Sequence, residues 1–220
     1  MRTITKNLYG FDELSPEAKE RAIQKTRESD GYLSYDWWDG VYDFFTEDMK
    51  AHGIQVEKIY FSGFWCQGDG ACFEGFIKIP EHLLIVNIMP DELRQELVAF
   101  NAKAKLRGLP LIELSYNAVV KHSGHYYHSH SMGVTSYDNY RIEDYDAGED
   151  EELQQEANAL INKLWGQDFE DLANEICRDH ADDLYKDLEK EYEYLTSDEA
   201  IAEHLVANDY EFDEDGALVR

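Results

Sequence analysis

Two runs of aromatic and β-branched residues, Lys58–Cys66 and Ala71–Ile79, flank the stretch Gln67-Gly-Asp-Gly70. Strand-forming residues on both sides of a glycine-rich turn predict an antiparallel hairpin, because glycine supplies the positive φ that a tight reversal needs. A second pair of strands is expected from Leu111 to about Lys121 and from Tyr126 to about Tyr137, turning at Ser123-Gly124. Together they predict a four-stranded antiparallel sheet packed with helices, an α+β fold.

The helices announce themselves by caps and spacing. Ser15-Pro16-Glu17 starts one that runs to about Glu28, with a capping hydroxyl, proline at the first position and an acid at the positive dipole end. Trp37, Trp38, Val41, Tyr42, Phe45 and Met49 recur at helical spacing, so a second helix is expected from Tyr35 to about His52. Pro90-Asp-Glu-Leu opens a third, ending near Gly108. Leu153, Leu160, Leu164, Phe169, Leu172, Ile176, Leu184, Leu188 and Leu195 extend the pattern over 150–195, and Gly166 weakens it without shifting its phase. One continuous helix there would be roughly 69 Å long at about 1.5 Å per residue. Thr196-Ser-Asp-Glu199 reads as a capping box for a short helix to about Ala207, followed by a small hairpin over Tyr210–Gly216. The domain organisation expected is an α+β core (1–137), an acidic linker (138–150) and an acidic helical section (151–220).

Charge is unevenly placed. The chain carries 20 basic and 47 acidic residues, a net of −27. Residues 138–220 hold 28 acids and 6 bases, so −22 of that total lies there. Affinity for phosphate backbones comes from Lys and Arg, so no direct nucleic-acid binding is expected and a basic protein surface is the natural partner. From Asp168 to Glu193 there are 11 acids over roughly 38 Å, about half the charge density of a DNA duplex. Full mimicry of a duplex would need more acids beside them. Asp182, Asp183, Asp187, Glu189, Glu191 and Glu193 are the expected binding residues. Three cysteines are too few for a disulfide framework, and no apolar run suits a membrane span or a secretory leader, so a cytoplasmic location is expected.

Two clusters carry possible chemistry. His122, His125, His128 and His130 lie within nine residues, and imidazole is a common metal ligand and proton carrier. On an extended strand His128 and His130 would share a face, with Met132 as a soft ligand and Asp69 from the other hairpin as an acidic one. A Zn or Mn site, a binding surface, and a merely solvated hairpin tip all fit these residues. Glycines around Asp69 suit an anion nest or a plain turn, and Cys66 and Cys72 stand almost symmetrically about it.

Met1-Arg-Thr-Ile-Thr-Lys, Phe11-Asp-Glu-Leu-Ser, Tyr35-Asp-Trp-Trp38, Phe64-Trp-Cys-Gln-Gly-Asp-Gly-Ala71, Val120-Lys-His-Ser-Gly-His-Tyr-Tyr-His128, Leu188-Glu-Lys-Glu-Tyr-Glu-Tyr-Leu-Thr-Ser-Asp-Glu-Ala200 and Tyr210-Glu-Phe resemble a family of phage-encoded proteins labelled "antitoxin of a toxin–antitoxin stability system". The Phe-Trp-x-Gln-Gly-Asp-Gly-Ala block is its most distinctive part. The resemblance implies a protein that neutralises a host or companion protein such as a toxin, nuclease or CRISPR effector, in the host cytoplasm. It implies no catalytic residues, and it implies that serine is accepted at position 66. A metal-assisted enzyme and a self-associating protein with a helical dimer seam are the rival expectations.

Overall fold

The computed structural model describes residues 7–79, 89–114, 116–138 and 145–219. The Met1–Lys6 motif and residues 139–144 of the acidic stretch 138–150 lie outside them. In chain order the elements are β1 (Tyr9–Gly10), α1 (Pro16–Arg27), α2 (Asp39–Ala51), β2 (Ile54–Phe61), β3 (Ala71–Ile79) and α3 (Asp91–Leu106). Then follow β4 (Tyr116–His122), β5 (Met132–Asp138), α4 (Glu151–Trp165), α5 (Phe169–Leu195), α6 (Asp198–Ala207) and β6 (Glu211–Phe212). Contacts divide the chain into two compact units, Met1–Val41 with Asp187–Arg220, and Tyr42–Lys186. The division falls within α2 and α5 rather than in loops. No helix among the described residues is long and apolar enough to cross a membrane.

The larger unit holds the expected antiparallel sheet, in the order β2–β3–β4–β5. Its inner face carries Ile54, Phe73, Ile77, Ala118, Val120 and Val134, all buried. Phe45 of α2 meets Phe73 edge to face at 5.4 Å, and Phe169 of α5 lies 6.5 Å from Tyr116. One strand edge is closed by side chains. Glu170 accepts the Ser136 N–H (2.9 Å), Asn174 accepts the Val134 N–H (2.7 Å), and Arg178 donates to the Met132 carbonyl (3.4 Å). Four residues of helix rise about 6 Å and two residues of strand about 6.7 Å, so α5 stays in step along β5 and satisfies its open backbone groups. Beside the sheet, α3 and α4 share Leu97, Phe100, Leu160 and Leu164 in the core, with Lys163–Glu96 (2.6 Å) and Lys103–Glu156 (2.5 Å) at the surface.

The 150–195 helix is two helices. Gly166 ends α4, the Asp168 carboxylate accepts the Asp171 N–H (3.0 Å) and caps α5, so three residues separate them. The apolar phase survives the interruption, which is why periodicity alone did not mark it. The second helix is also shorter than expected, beginning at Asp39, because Trp37 and Asp39 donate to the Tyr35 and Asp36 carbonyls in turns.

In the smaller unit the two ends of the chain pair. Tyr9 lies opposite Phe212 in an antiparallel bridge, and Phe212 is itself bridged to Leu218 in the expected terminal hairpin. Phe11, Leu14, Ala18, Ala22, Ile201, Leu205 and Phe212 form its core. Arg27 donates to the Thr196 carbonyl (2.8 Å) and pairs with Asp198, while the Tyr32 hydroxyl donates to the Leu195 carbonyl (2.8 Å). The cap of α6 sits one residue later than Thr196. Ser197 Oγ accepts the Ala200 N–H (3.2 Å), and the Thr196 hydroxyl turns back to the Tyr192 carbonyl (2.8 Å).

Candidate functional site

The Gln67-Gly-Asp-Gly70 stretch is the closing part of a loop from Ser62 to Gly70. Asp69 folds it from within: Oδ2 accepts the Trp65 N–H (3.0 Å) and the Cys66 N–H (2.7 Å). The Asp69 carboxylate therefore serves its own loop, and leaves Trp65 exposed at the tip. The glycines answer to the second hairpin. A Cβ on Gly68 would lie 2.3 Å from the Tyr126 ring, and one on Gly70 would lie 2.5 Å from the Tyr127 carbonyl oxygen. The distinctive block is thus a seat for the connection between β4 and β5.

That connection is longer than a turn at Ser123-Gly124. β4 ends at His122 and β5 starts at Met132, with a 3-10 turn over Ser129–Ser131 between them. His125, His128 and His130 therefore lie on the loop, not on a strand, and the shared face expected for His128 and His130 does not exist. Ser131 directs the chain: its hydroxyl accepts the His128 N–H (3.2 Å) and lies 2.5 Å from the Tyr126 carbonyl.

Each histidine has a distinct setting. The His122 ring nitrogen Nε2 is 3.0 Å from the Tyr126 carbonyl, and the ring packs on Tyr60 (5.0 Å) and Tyr127 (5.4 Å). His128 stacks parallel to Tyr126 at 6.1 Å and meets His130 edge to face at 6.1 Å. Its Nδ1 is buried without a partner among the described residues. His125 is exposed. Among the described residues no three His, Cys, Asp or Glu side chains form a group able to hold a metal ion. His122, His125, His128, His130 and Asp69 thus supply no ligand set for Zn or Mn.

Cys72 pairs with Tyr60 across β2–β3, not with Cys66, and all three cysteines are free. Burial pushes the Cys72 and Cys177 thiols up to about 12, which makes both poor nucleophiles and poor ligands. Alanine at Gly70 meets fixed backbone, whereas at Gly68 it meets the Tyr126 ring and a left-handed backbone (φ +101). Gly70→Ala is therefore expected to cost about 2 kcal/mol, read by urea unfolding. Retained near-ultraviolet dichroism of the Tyr60–His122–Tyr127 cluster in Gly70→Ala would contradict the seat.

The acidic candidates all lie on α5. Asp182, Asp183, Asp187, Glu189 and Glu193 are exposed and Glu191 is half-buried. Asp183 and Asp187 are engaged by Lys186 and Lys190, both at 2.7 Å and three residues on. Pairs of this kind at the surface contribute little to stability, but they dilute the local field. Upstream, Asp171, Glu175, Asp179 and Asp182 are all exposed at successive spacings of four, four and three residues. That spacing sets them on one face of the helix, and none forms an ion pair among the described residues. Asp171, Glu175 and Asp179 were not among the expected binding residues, although their spacing was open to inspection in the sequence.

A family model described as "Domain of unknown function (DUF8835)" matches residues 37–198. The chain belongs to the DUF8835 family. Its matched span takes in both hairpin loops, the whole sheet and the whole of α5. The β1–α1 segment and the chain from Glu199 onward, which build most of the Phe11–Phe212 core, lie outside it. No curated protein and no solved structure matches the chain.

Proposed function

We propose that this DUF8835 member is a non-enzymatic phage accessory protein that binds and inhibits a host or defence protein in the host cytoplasm. The partner class is a nucleic-acid-handling protein with a basic surface, such as a toxin, nuclease or CRISPR effector. The observation that carries the reading is the unpaired stripe Asp171, Glu175, Asp179 and Asp182 on one exposed face of α5. Four carboxylates over about 17 Å of helix, with the one cation among them, Arg178, half-buried and turned to the Met132 carbonyl, present a directional negative field to a cationic surface. The phage-protein resemblance of the hairpin block and its flanking motifs supplies the biological setting.

Such a contact draws on long-range attraction, so it is fast and salt-sensitive. The partner is found by affinity capture from infected host cells with the intact chain, followed by mass spectrometry. Against that partner, Glu175→Lys, Asp179→Lys and Asp182→Lys together are expected to slow association at least about tenfold at low salt. The same change on the Asp183 and Asp187 pairs is expected to do less. Association that ignores both the reversal and added salt would dismiss the electrostatic account.

A further inference from the structure

In a chain of net charge −27, the outer face of the sheet sets three lysines against two acids, Glu74 and the exposed bulge residue Glu57. Strand alternation and the register put Gln55, Phe76, Val119 and Thr135 in one row across β2 to β5. Lys58 lies opposite Glu74, Lys78 opposite Asn117, and Lys121 opposite Gly133, all on that same face. Their neighbours on the other parity, Phe73, Ile77, Ala118 and Val120, are buried in the core. The three lysines are exposed, and a Cβ on Gly133 would meet nothing within 4 Å, so the face is open there.

Lys58 is engaged by the Tyr60 side chain, which holds its pKa up. None of the three lysines has a carboxylate within ion-pair distance among the described residues, although ten other cations do. Glu74, which sits among them, is already occupied: it accepts the Tyr60 hydroxyl (2.8 Å) and the His122 N–H (3.2 Å). At the centre of the face is Phe76, half-buried, with Lys78 reaching over its ring at 5.9 Å. Lys58 lies over Tyr60 at 4.2 Å.

We propose that this outer sheet face binds single-stranded nucleic acid, with Lys58, Lys78 and Lys121 on phosphates and the Phe76 ring as a platform for a base. Lysines around an aromatic ring on an open antiparallel sheet meet both needs of an unpaired strand, charge neutralisation and stacking. An acidic polypeptide would use the lysines but gain nothing from the ring. The global charge does not forbid the contact. The acidic stripe of α5 lies beyond β5, about 20 Å from Phe76 by strand spacing and helix diameter, more than twice the Debye length of about 8 Å at physiological salt. The expectation that the chain avoids nucleic acid was drawn from its average charge, and this face departs from that average. The inference does not rest on the α5 reading.

The test uses the intact chain and fluorescein-labelled oligothymidylate and oligouridylate of about twelve nucleotides, followed by anisotropy at about 50 mM salt. Binding is expected in the micromolar range, with a log–log salt slope near −2, about −0.7 for each of three phosphates. Lys58→Glu, Lys78→Glu and Lys121→Glu together are expected to weaken it more than tenfold. Phe76→Leu, which keeps the apolar volume, is expected to weaken it about tenfold while leaving the slope unchanged. Lys→Gln replacements repeat the first arm if the reversed variant does not melt like the parent. No binding up to about 100 µM, an unaltered affinity in the lysine variants, or equal displacement by polyglutamate would each overturn the proposal.

Discussion

Gly75→Ala is expected to destabilise the sheet by about 3 kcal/mol or more. A Cβ there would lie 2.1 Å from the Gln55 carbonyl oxygen and 3.1 Å from the Val56 Cα. Both atoms belong to the β2 backbone, so no side-chain rotation relieves the contact. The cause is the bulge in β2: Val56 pairs with Gly75 and Lys58 with Glu74, which leaves Glu57 extra and bends β2 over its neighbour. Gly133→Ala is the control, because its Cβ would meet nothing within 4 Å in an edge strand of the same sheet. Thermal melts should separate them: roughly 6–12 °C lost by the first, and little change in the second. Equal melting temperatures would mean that β2 yields without cost and that the bulge is soft.

The same bulge shows where the sequence stops being legible. The aromatic and β-branched content of Lys58–Cys66 and Ala71–Ile79, with glycines between, was enough to expect a hairpin, and the sheet formed as expected. Which residues share a face was not. Glu57 changes the parity of β2 midway, and nothing in the run Ile54–Phe61 marks it, since Glu57 is as hydrophilic as a solvent-facing residue in regular register. Lys58, Lys78 and Lys121 are separated by 20 and 43 positions. Only pairing brings them to one surface, so a count of charges sees three of 20 cations and no patch.

The hairpin tips failed for a different reason. Counting histidines places four near one another in the chain, but a metal site requires convergence of lone pairs. Here Ser131 and the Tyr126 carbonyl turn the loop so that the rings meet aromatic partners instead. Asp69 was identified as a special residue, yet its chemistry is spent on the Trp65 and Cys66 amides. The signal for that was available: an Asp three residues after a potential amide donor, within a glycine-rich turn, commonly closes its own loop. On α5 the reverse held. Acid content was legible, but the shared exposed face of Asp171, Glu175, Asp179 and Asp182 needed the helix to be placed, and only Asp182 of that face was among the expected residues.

In the smaller unit, Gly216→Ala is expected to release the terminal hairpin from α1. Gly216 has φ +76, and a Cβ would lie 2.2 Å from the Ala18 carbonyl oxygen. The left-handed conformation alone costs an alanine about 1–2 kcal/mol. The contact adds to it, because Ala18 is fully buried within α1 and its backbone has nowhere to move. Around this point Arg21 donates to the Asp215 carbonyl (2.8 Å), and Asp213 accepts the Asp215 and Ala217 N–H groups (3.1 and 2.8 Å). The two Asp213 bonds hold the turn's own shape, so the strain is expected to move the hairpin as a piece rather than unfold it, breaking the Arg21 bond that ties it to α1. Phe212, buried against Phe11 at 6.1 Å, is then exposed with it. Gly108→Ala separates the two causes: φ is +70 there, but nothing lies within 4 Å of its Cβ. Hydrogen exchange reads the difference at the Val219 amide, which donates to the Glu211 carbonyl (2.8 Å). Gly216→Ala is expected to lose protection there by about two orders of magnitude, equivalent to about 3 kcal/mol of local stability, and Gly108→Ala to leave it unchanged. Full protection of Val219 in Gly216→Ala would show that α1 can step back from the hairpin, and that the Phe11–Phe212 core tolerates the shift.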